Sequence, residues 1–318
     1  MTPQLQIIHD GTVYFPAVVD KIEWSTERAG APGSLNFYVI QDSILKMANG
    51  DPVRFTYGGY KIFYGFIFEV RETKDTVVQV KAYDQLRYFK NKGFYNYKEK
   101  ETGELISMIA EDFRLNCGEL ESTGYPVTRI EKDKTLFDMV QNSYNATLQN
   151  TGQMYVFYDD FGHLTLKNIA HMAFNLLIDD TAAKDYNYTR SIDKQTYNQV
   201  KLTYDNPETG QRDVYIAQSG ENINRWGLLV YTDTIDKPEN GPAKAEALLN
   251  LYNAETRNLT IKEAFGDVNI RAGCLLVIKL ALSDTTIHNL MLVEKCKHVF
   301  KENEHWMDLT LRGGEFVA

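Results

Sequence analysis

The chain has 318 residues, with 34 Lys and Arg against 43 Asp and Glu and a formal net charge of −9. That balance excludes a protein that holds nucleic acid electrostatically, which needs a basic face to collect phosphates. No apolar run approaches the roughly 18 residues of a membrane-crossing helix, and the start MTPQLQIIHDG has neither the basic nor the apolar region of a secretory signal, so no membrane insertion is expected.

Aromatic residues make up 12% of the chain, which favours strands. Near the start, Leu5–Ile8 and Thr12–Phe15 flank the turn Asp10-Gly11, and Val18–Ser25 follows. The loop Glu27–Ser34 (ERAGAPGS) is either a projecting contact loop or a passive connector. Leu35–Ile40, Pro52–Phe55, Tyr60–Arg71 and Thr76–Tyr83 complete a set of short strands, so residues 1–92 are expected to form a first antiparallel β-barrel.

Lys90–Lys100 is polar and basic and marks a boundary. A helix is expected from an N-cap at Thr102, with Ile106, Ile109, Ala110 and Phe113 on one face. Another starts near Thr135, with Asp138 in its first turn, and Met154–Asn168 reads as a hairpin around Asp159–Gly162. Residues 93–189 are thus expected to be a small α+β unit. Strands follow at Asn198–Tyr204, Arg212–Gln218 and Leu228–Asp233, and Gly241-Pro242 opens a helix taken to about Asn258, or 242–258. The C-terminal stretch reads as strands Val268–Ile270, Cys274–Leu280, Met291–Phe300 and Trp306–Arg312; residues 190–318 then form a second barrel with one inserted helix. Gly50, Gly65 and Val80 align by pattern with Gly273, Asn289 and Leu309, which suggests that the two barrels are related. The fold class is β-rich α+β: two related antiparallel β-barrels joined by a small α+β unit.

The residues offer little chemistry. There is no G-x-S-x-G, H-E-x-x-H, Walker A or G-x-G-x-x-G pattern. The pairs Asp159-Asp160 and Asp179-Asp180 could suggest a glycosidase, but Asp159-Asp160 sits in a hairpin turn, where Asp is favoured for backbone reasons, and Asp179-Asp180, followed by Thr181, has the pattern of a helix start. Cys296 and His298 share one strand face, with His288 and His305 close in sequence; zinc would need more ligands than this spacing supplies. Trp226 and Trp306 suit core or interface anchors. Cys117, Cys274 and Cys296 are odd in number and widely spaced, as for free thiols in a reducing compartment. No catalytic, cofactor-binding or metal-binding residue is assigned, and no enzyme activity is expected.

Long stretches carry a resemblance: GAPGSLNF at 30–37, NGDPVRF at 49–55, FYGFIFEV at 63–70, VKAYDQLRYFKNK at 80–92, MYVFYDDFGHLTLKNI at 154–169, YNQVKLTYDNPETGQRDVYIAQ at 197–218, LLNLYNAETRNLTIKEAFGDVNIRAG at 248–273 and MLVEKCKHVFKENEHWMDLTLRGGEF at 291–316. The sequence resembles the baseplate (tail) hub proteins of contractile phage tails, most closely the XkdQ/YqbQ family of PBSX-like elements. More distantly it is similar to the hub proteins of T-even and Mu-type phages. The resemblance implies a homotrimer with two barrels per subunit around a channel, adapting a six-fold tail tube to a three-fold spike. It implies as partners a tail tube protein, a spike or needle protein, and baseplate wedge or LysM-type tail proteins. DNA would pass through the lumen without specific binding, in a virion or tail-like particle assembled in the bacterial cytoplasm. Two alternatives compete with it: a tail-tip peptidoglycan hydrolase, for which no residue set stands out, and a carbohydrate-binding module, for which the tyrosines are too scattered. The charge of −9 either keeps a lumen from gripping DNA or serves ordinary solubility; both remain open.

Overall fold

The structure is a computed structural model that describes residues 2–72, 74, 76–179, 182, 184–207, 209–235, 240–281 and 286–313, without the side chains of 286–288. The N-terminal lobe holds β1 (Pro3–His9), β2 (Thr12–Tyr14), β3 (Val18–Glu27), β4 (Ser34–Ile40), β5 (Pro52–Tyr57), β6 (Tyr60–Arg71) and β7 (Val77–Tyr83). A 3-10 turn at Gln85–Lys90 leads to β8 (Lys92–Lys100), α1 (Thr102–Phe113), β9 (Cys117–Leu120), β10 (Val127–Thr135), α2 (Leu136–Thr151), β11 (Tyr155–Asp159) and β12 (Leu164–Asn168). Next come β13 (Ala173–Ile178), β14 (Asp185–Ser191), β15 (Gln199–Asp205), β16 (Arg212–Gln218), α3 (Gly220–Trp226), β17 (Val230–Thr234) and α4 (Gly241–Tyr252). The chain closes with β18 (Thr256–Phe265), β19 (Leu275–Ala281), β20 (Thr286–Lys301) and β21 (Glu304–Gly313).

Alternation in the sequence sets the inward faces. β4 buries Leu35, Phe37 and Val39, β7 buries Val78, Val80 and Ala82, and β21 buries Met307, Leu309 and Leu311. These rows face two separate cores, one inside each terminal lobe, so each lobe is a sheet curled around its own interior. In the first lobe the curl brings β1 back towards β3. Leu5 of β1 and Ile22 of β3 line one cavity of about 230 Å³ there.

The two lobes repeat one strand order: β3-β4-β7-β6-β5-β1 in the first and β14-β18-β21-β20-β19-β13 in the second. Four of the five strand pairings are alike. The exception is the last, where β1 runs antiparallel to β5 but β13 runs parallel to β19. Gly50 (φ +96°) and Gly273 (φ +98°) both sit two residues before the matching strands β5 and β19. The ladders refine the alignment read from sequence. Val53 faces Gly65 as Leu276 faces Met291, and Ile67 faces Ala82 as Val293 faces Leu311. Gly65 therefore matches Met291, not Asn289; the slip of two residues keeps every side chain on its face, which is why pattern alone could not see it. Even the bulge repeats, between Ile67 and Glu69 and between Val293 and Lys295.

The β-rich α+β class expected from sequence is what the chain adopts. The division at 189/190 does not follow the pairing. Residues 173–191 supply β13 and β14 to the C-terminal lobe, because their alternate side chains cover its core. Residues 199–252 instead form their own unit, a three-stranded sheet β16-β15-β17 with α4 packed on Val200 and Leu202. The inserted helix ends at Tyr252, short of Asn258, because TRNLTIKEAF alternates and becomes β18. Val268–Ile270 is a turn, closed by the Ile270 amide donating to the Asp267 carbonyl at 3.1 Å. The N-cap of α1 is Glu101, which forms a capping box with Glu104, while Thr102 lies inside the helix and hydrogen-bonds Ser143 Oγ at 2.8 Å. Most of Lys90–Lys100, read as a boundary, is β8, which pairs with β10 as a two-stranded ribbon over α1 and α2.

Candidate functional site at the joint between the lobes

Buried polar side chains gather where the lobes meet. β3 pairs antiparallel with β20 over Ile22–Glu27 and Lys295–Phe300, which merges the two lobes into one 13-stranded sheet. Trp24 lies opposite His298 in this ladder, and their rings stack with centroids 4.8 Å apart and an interplanar angle of 23°. Ion pairs flank the ladder: Lys295 with Glu27 at 2.9 Å, Lys297 with Glu23 at 3.3 Å and Arg28 with Glu294 at 2.7 Å. These exposed and half-exposed pairs add register more than stability.

His298 is fully buried, and its neighbours fix its state. The Ile270 carbonyl, 2.7 Å from Nε2, can only accept, so the proton sits on Nε2. Nδ1 then accepts from His305 Nε2 at 2.8 Å. Burial, reinforced by His305, pushes the His298 pKa down to about 3; burial also lowers His305 to about 4. Cys296 Sγ lies 3.1 Å from His298 Nε2, and burial pushes its thiol well above the usual range. Both ring nitrogens of His298 are thus engaged within the protein. Among the described residues no group of three His, Cys, Asp or Glu side chains is arranged to hold a metal ion. The side chain of His288 lies outside the described part.

A separate cluster joins the middle unit to both lobes. Asp84, at the end of β7, caps the 3-10 turn through the Leu86 amide (3.0 Å) and also accepts from the Gly33 amide (2.8 Å). A Cβ on Gly33 would run into Asp84 Oδ2, so this approach needs glycine. Asp159 accepts from the Gly162 amide at 2.7 Å and from Gln85 Nε2 at 3.1 Å. Gln85 Oε1 accepts from the Asn116 amide at 3.0 Å. Burial, then the Asp159 charge, raises the pKa of Asp84, and burial raises Asp159 to about 6. The Arg271 guanidinium lies 3.9 Å from the centre of the Tyr158 ring and 5.8 Å from that of Trp24, and its charge favours both carboxylates.

The residues singled out by sequence are scattered by the fold. Asp159 does serve its turn, and in addition holds Gln85. Asp180 lies outside the described residues, and its neighbour Asp179 accepts from the Ala182 amide through its carbonyl at 3.1 Å. Trp226 ends α3 beneath Arg225, half-buried, and Trp306 is half-buried on the outer face of β21. Cys117 is exposed and Cys274 and Cys296 are buried, all three as free thiols. The loop 27–34 turns inward: Pro32 and Gly33 are buried, and the Arg28 amide donates to the Glu294 carbonyl at 2.9 Å. Asp84, Gln85 and Arg271 had no signal of their own in the sequence; they lay only within the quoted runs at 80–92 and 248–273.

A curled lobe repeated twice in one chain, joined edge to edge, is a fold shared with phage tail proteins. A tail protein from Neisseria meningitidis MC58 superposes with a TM-score of 0.73 at 10% identity, over 99% of this chain and 98% of that one. The 43 kDa tail protein of prophage MuSo2 from Shewanella oneidensis gives 0.72 at 11% identity, over 97% and 98%. The chain belongs to the YQBQ-like family, whose model matches residues 22–312. It is 24% identical to the phage-like element PBSX protein XkdQ of Bacillus subtilis (strain 168), over 96% of this chain and 95% of that protein.

Proposed function

We propose that the chain is a structural hub of a phage-type tail baseplate: a ring of three copies that presents six similar lobes to a six-fold tail tube and a three-fold face to a spike or needle protein. The observation that carries this is the repeated strand order with one joint already made. The ladders equate Trp24 with Tyr188, Ile22 with Tyr186 and Cys296 with Val70. The joint β3–β20 therefore has a counterpart, β14 against the end of β6, that is not paired within the chain. In that register Arg190 faces Val70 and Thr189 faces Arg71, with Glu72 diagonal to Arg190 on the same face. Applied head to tail, the same contact closes after three chains and covers an edge strand that would otherwise template aggregation. β6 stops at Arg71, whereas β20 runs on to Lys301, so the contact between chains is shorter than the joint within one. Assembly is then concentration-dependent in isolation and completed by the tail tube. DNA would pass through the lumen, and wedge or LysM-type tail proteins would bind the periphery.

The test is a register-specific cross-link. T189C/R71C in a C117S background should, on oxidation, give a product of three chains and nothing larger. A cross-linked dimer that does not progress, or no product at high concentration, overturns the ring. The alternative of a tail-tip hydrolase needs two carboxylates facing a groove; Asp84 and Asp159 are 4% and 6% exposed and reach no substrate.

A further inference from the structure

The ribbon β8–β10 carries a surface that neither the lobes nor the joint explains. Its inner face is ordinary: Tyr95, Tyr97 and Glu131 point into the core over α1 and α2, and Glu131 is held by Lys134 at 2.9 Å and by Asn142 Nδ2 at 3.1 Å. The outer face reverses the usual pattern. Phe94 is 62% exposed and Ile130 70%, and they sit diagonally across the ladder, with Phe94 opposite Lys132 and Asn96 opposite Ile130. Strand alternation places Lys92 and Lys98 on the same side as Phe94. The two strands hold six Lys and Arg against three Asp and Glu, in a chain whose net charge is −9. Of those three carboxylates, Glu131 points inward, and Glu99 (φ +51°) and Asp133 (φ +56°) sit where the backbone leaves the regular strand. Two apolar side chains flanked by Lys92, Lys98 and Lys132, on a ribbon that pairs with no third strand among the described residues, form a surface shaped for a partner rather than for water.

We propose that this face is a docking surface for another protein of the tail, one that offers an acidic rim around an apolar pocket able to take Phe94 and Ile130. Charge complementarity selects the occupant: lysines on an otherwise acidic chain attract carboxylates, while the apolar pair supplies the desolvated centre that holds them. The identity of the partner as a tail protein rests on the hub function proposed above; the chemistry of the surface does not. Because the ribbon pairs with neither β14 nor β6, ring formation and docking can fail separately.

The experiment places the photo-cross-linker p-benzoylphenylalanine at Phe94 in tail particles assembled with the full chain, and identifies the captured peptide by mass spectrometry. The expected result is a segment of a different tail protein rich in Asp and Glu around apolar residues. In parallel, K92E/K132E and F94S/I130S should each lower retention of that protein in the particle at least tenfold, while the melting temperature and the three-copy mass stay as in the parent chain. Capture of this same chain, no capture in assembled particles, or unchanged retention in both variants would overturn the proposal. Sedimentation of the parent chain with phosphatidylglycerol vesicles, lost in K92E/K132E, would overturn it in favour of a lipid surface.

Discussion

Trp24 and His298, 274 residues apart in sequence, stack face to face across the β3–β20 ladder that joins the two lobes. The contact is apolar on the Trp24 side and polar at the far edge of the imidazole, where Ile270 and His305 bond it. Trp24 is 5% exposed, so W24A removes a large ring from a site that cannot collapse. It should cost about 3–5 kcal/mol, read as a lower midpoint in urea with the slope unchanged.

The same pair makes stability depend on acid. His298 and His305 are held neutral in the fold, with pKa values near 3 and 4, whereas in the unfolded chain they titrate near the ordinary value. Their contribution is complete above about pH 6.5 and is lost as pH falls through the folded values. For the fully buried His298 the loss is roughly 3–5 kcal/mol by pH 3. H298F keeps a ring against Trp24 but leaves the Ile270 carbonyl without its donor. It should be less stable at pH 7 and show a shallower fall towards pH 4 in urea titrations.

Asp159 acts with the opposite sign. Its folded pKa of about 6 is raised by burial, so its contribution is present below the unfolded value near 4 and is lost as pH rises through 6. Arg271 limits that loss by favouring the charged form. R271M should therefore destabilise by about 1–2 kcal/mol at pH 7, and by less at pH 5, where Asp159 is largely protonated in the fold. An equal effect at both pH values would show that the stacking on Tyr158, rather than the charge, is what matters.

The thiols offer a simple check on the packing. Cys117 is exposed, while Cys274 and Cys296 are buried and their thiols are held protonated. A thiol reagent at pH 8 should titrate one group in the folded chain and three in denaturant. Reaction of Cys296 in the folded chain would mean that the joint opens readily.

Much of this architecture could be read from period-2 alternation. The inward rows of β4, β7 and β21 and the β11–β12 hairpin followed from it, and helical spacing marked α1 and α2. Strands whose alternation is weak or mixed with charge were missed: β8 with KGFYNYKEK, β14 with DYNYTRS, and β18, which continued a helical stripe. What was hidden is long-range. Nothing local in Trp24 names His298 as its partner, and nothing in Asp84 predicts Gly33 and Asp159 around it, because those contacts exist only once β3 has paired with β20 and the middle unit has packed on both lobes. The repeat itself was visible, though its register needed the ladders.

The central claim is that the unmade joint between β14 and β6 builds a ring. Its most direct test is the mass in solution by light scattering over a concentration series, for the parent chain, for R190E, and for R190E/E72R. The account predicts an equilibrium that ends at about three times 36.5 kDa for the parent chain, a monomer for R190E, where the new carboxylate would lie diagonal to Glu72 on one face, and recovery in the charge-swapped variant. A stable dimer, or a three-copy mass that R190E leaves unchanged, would contradict it.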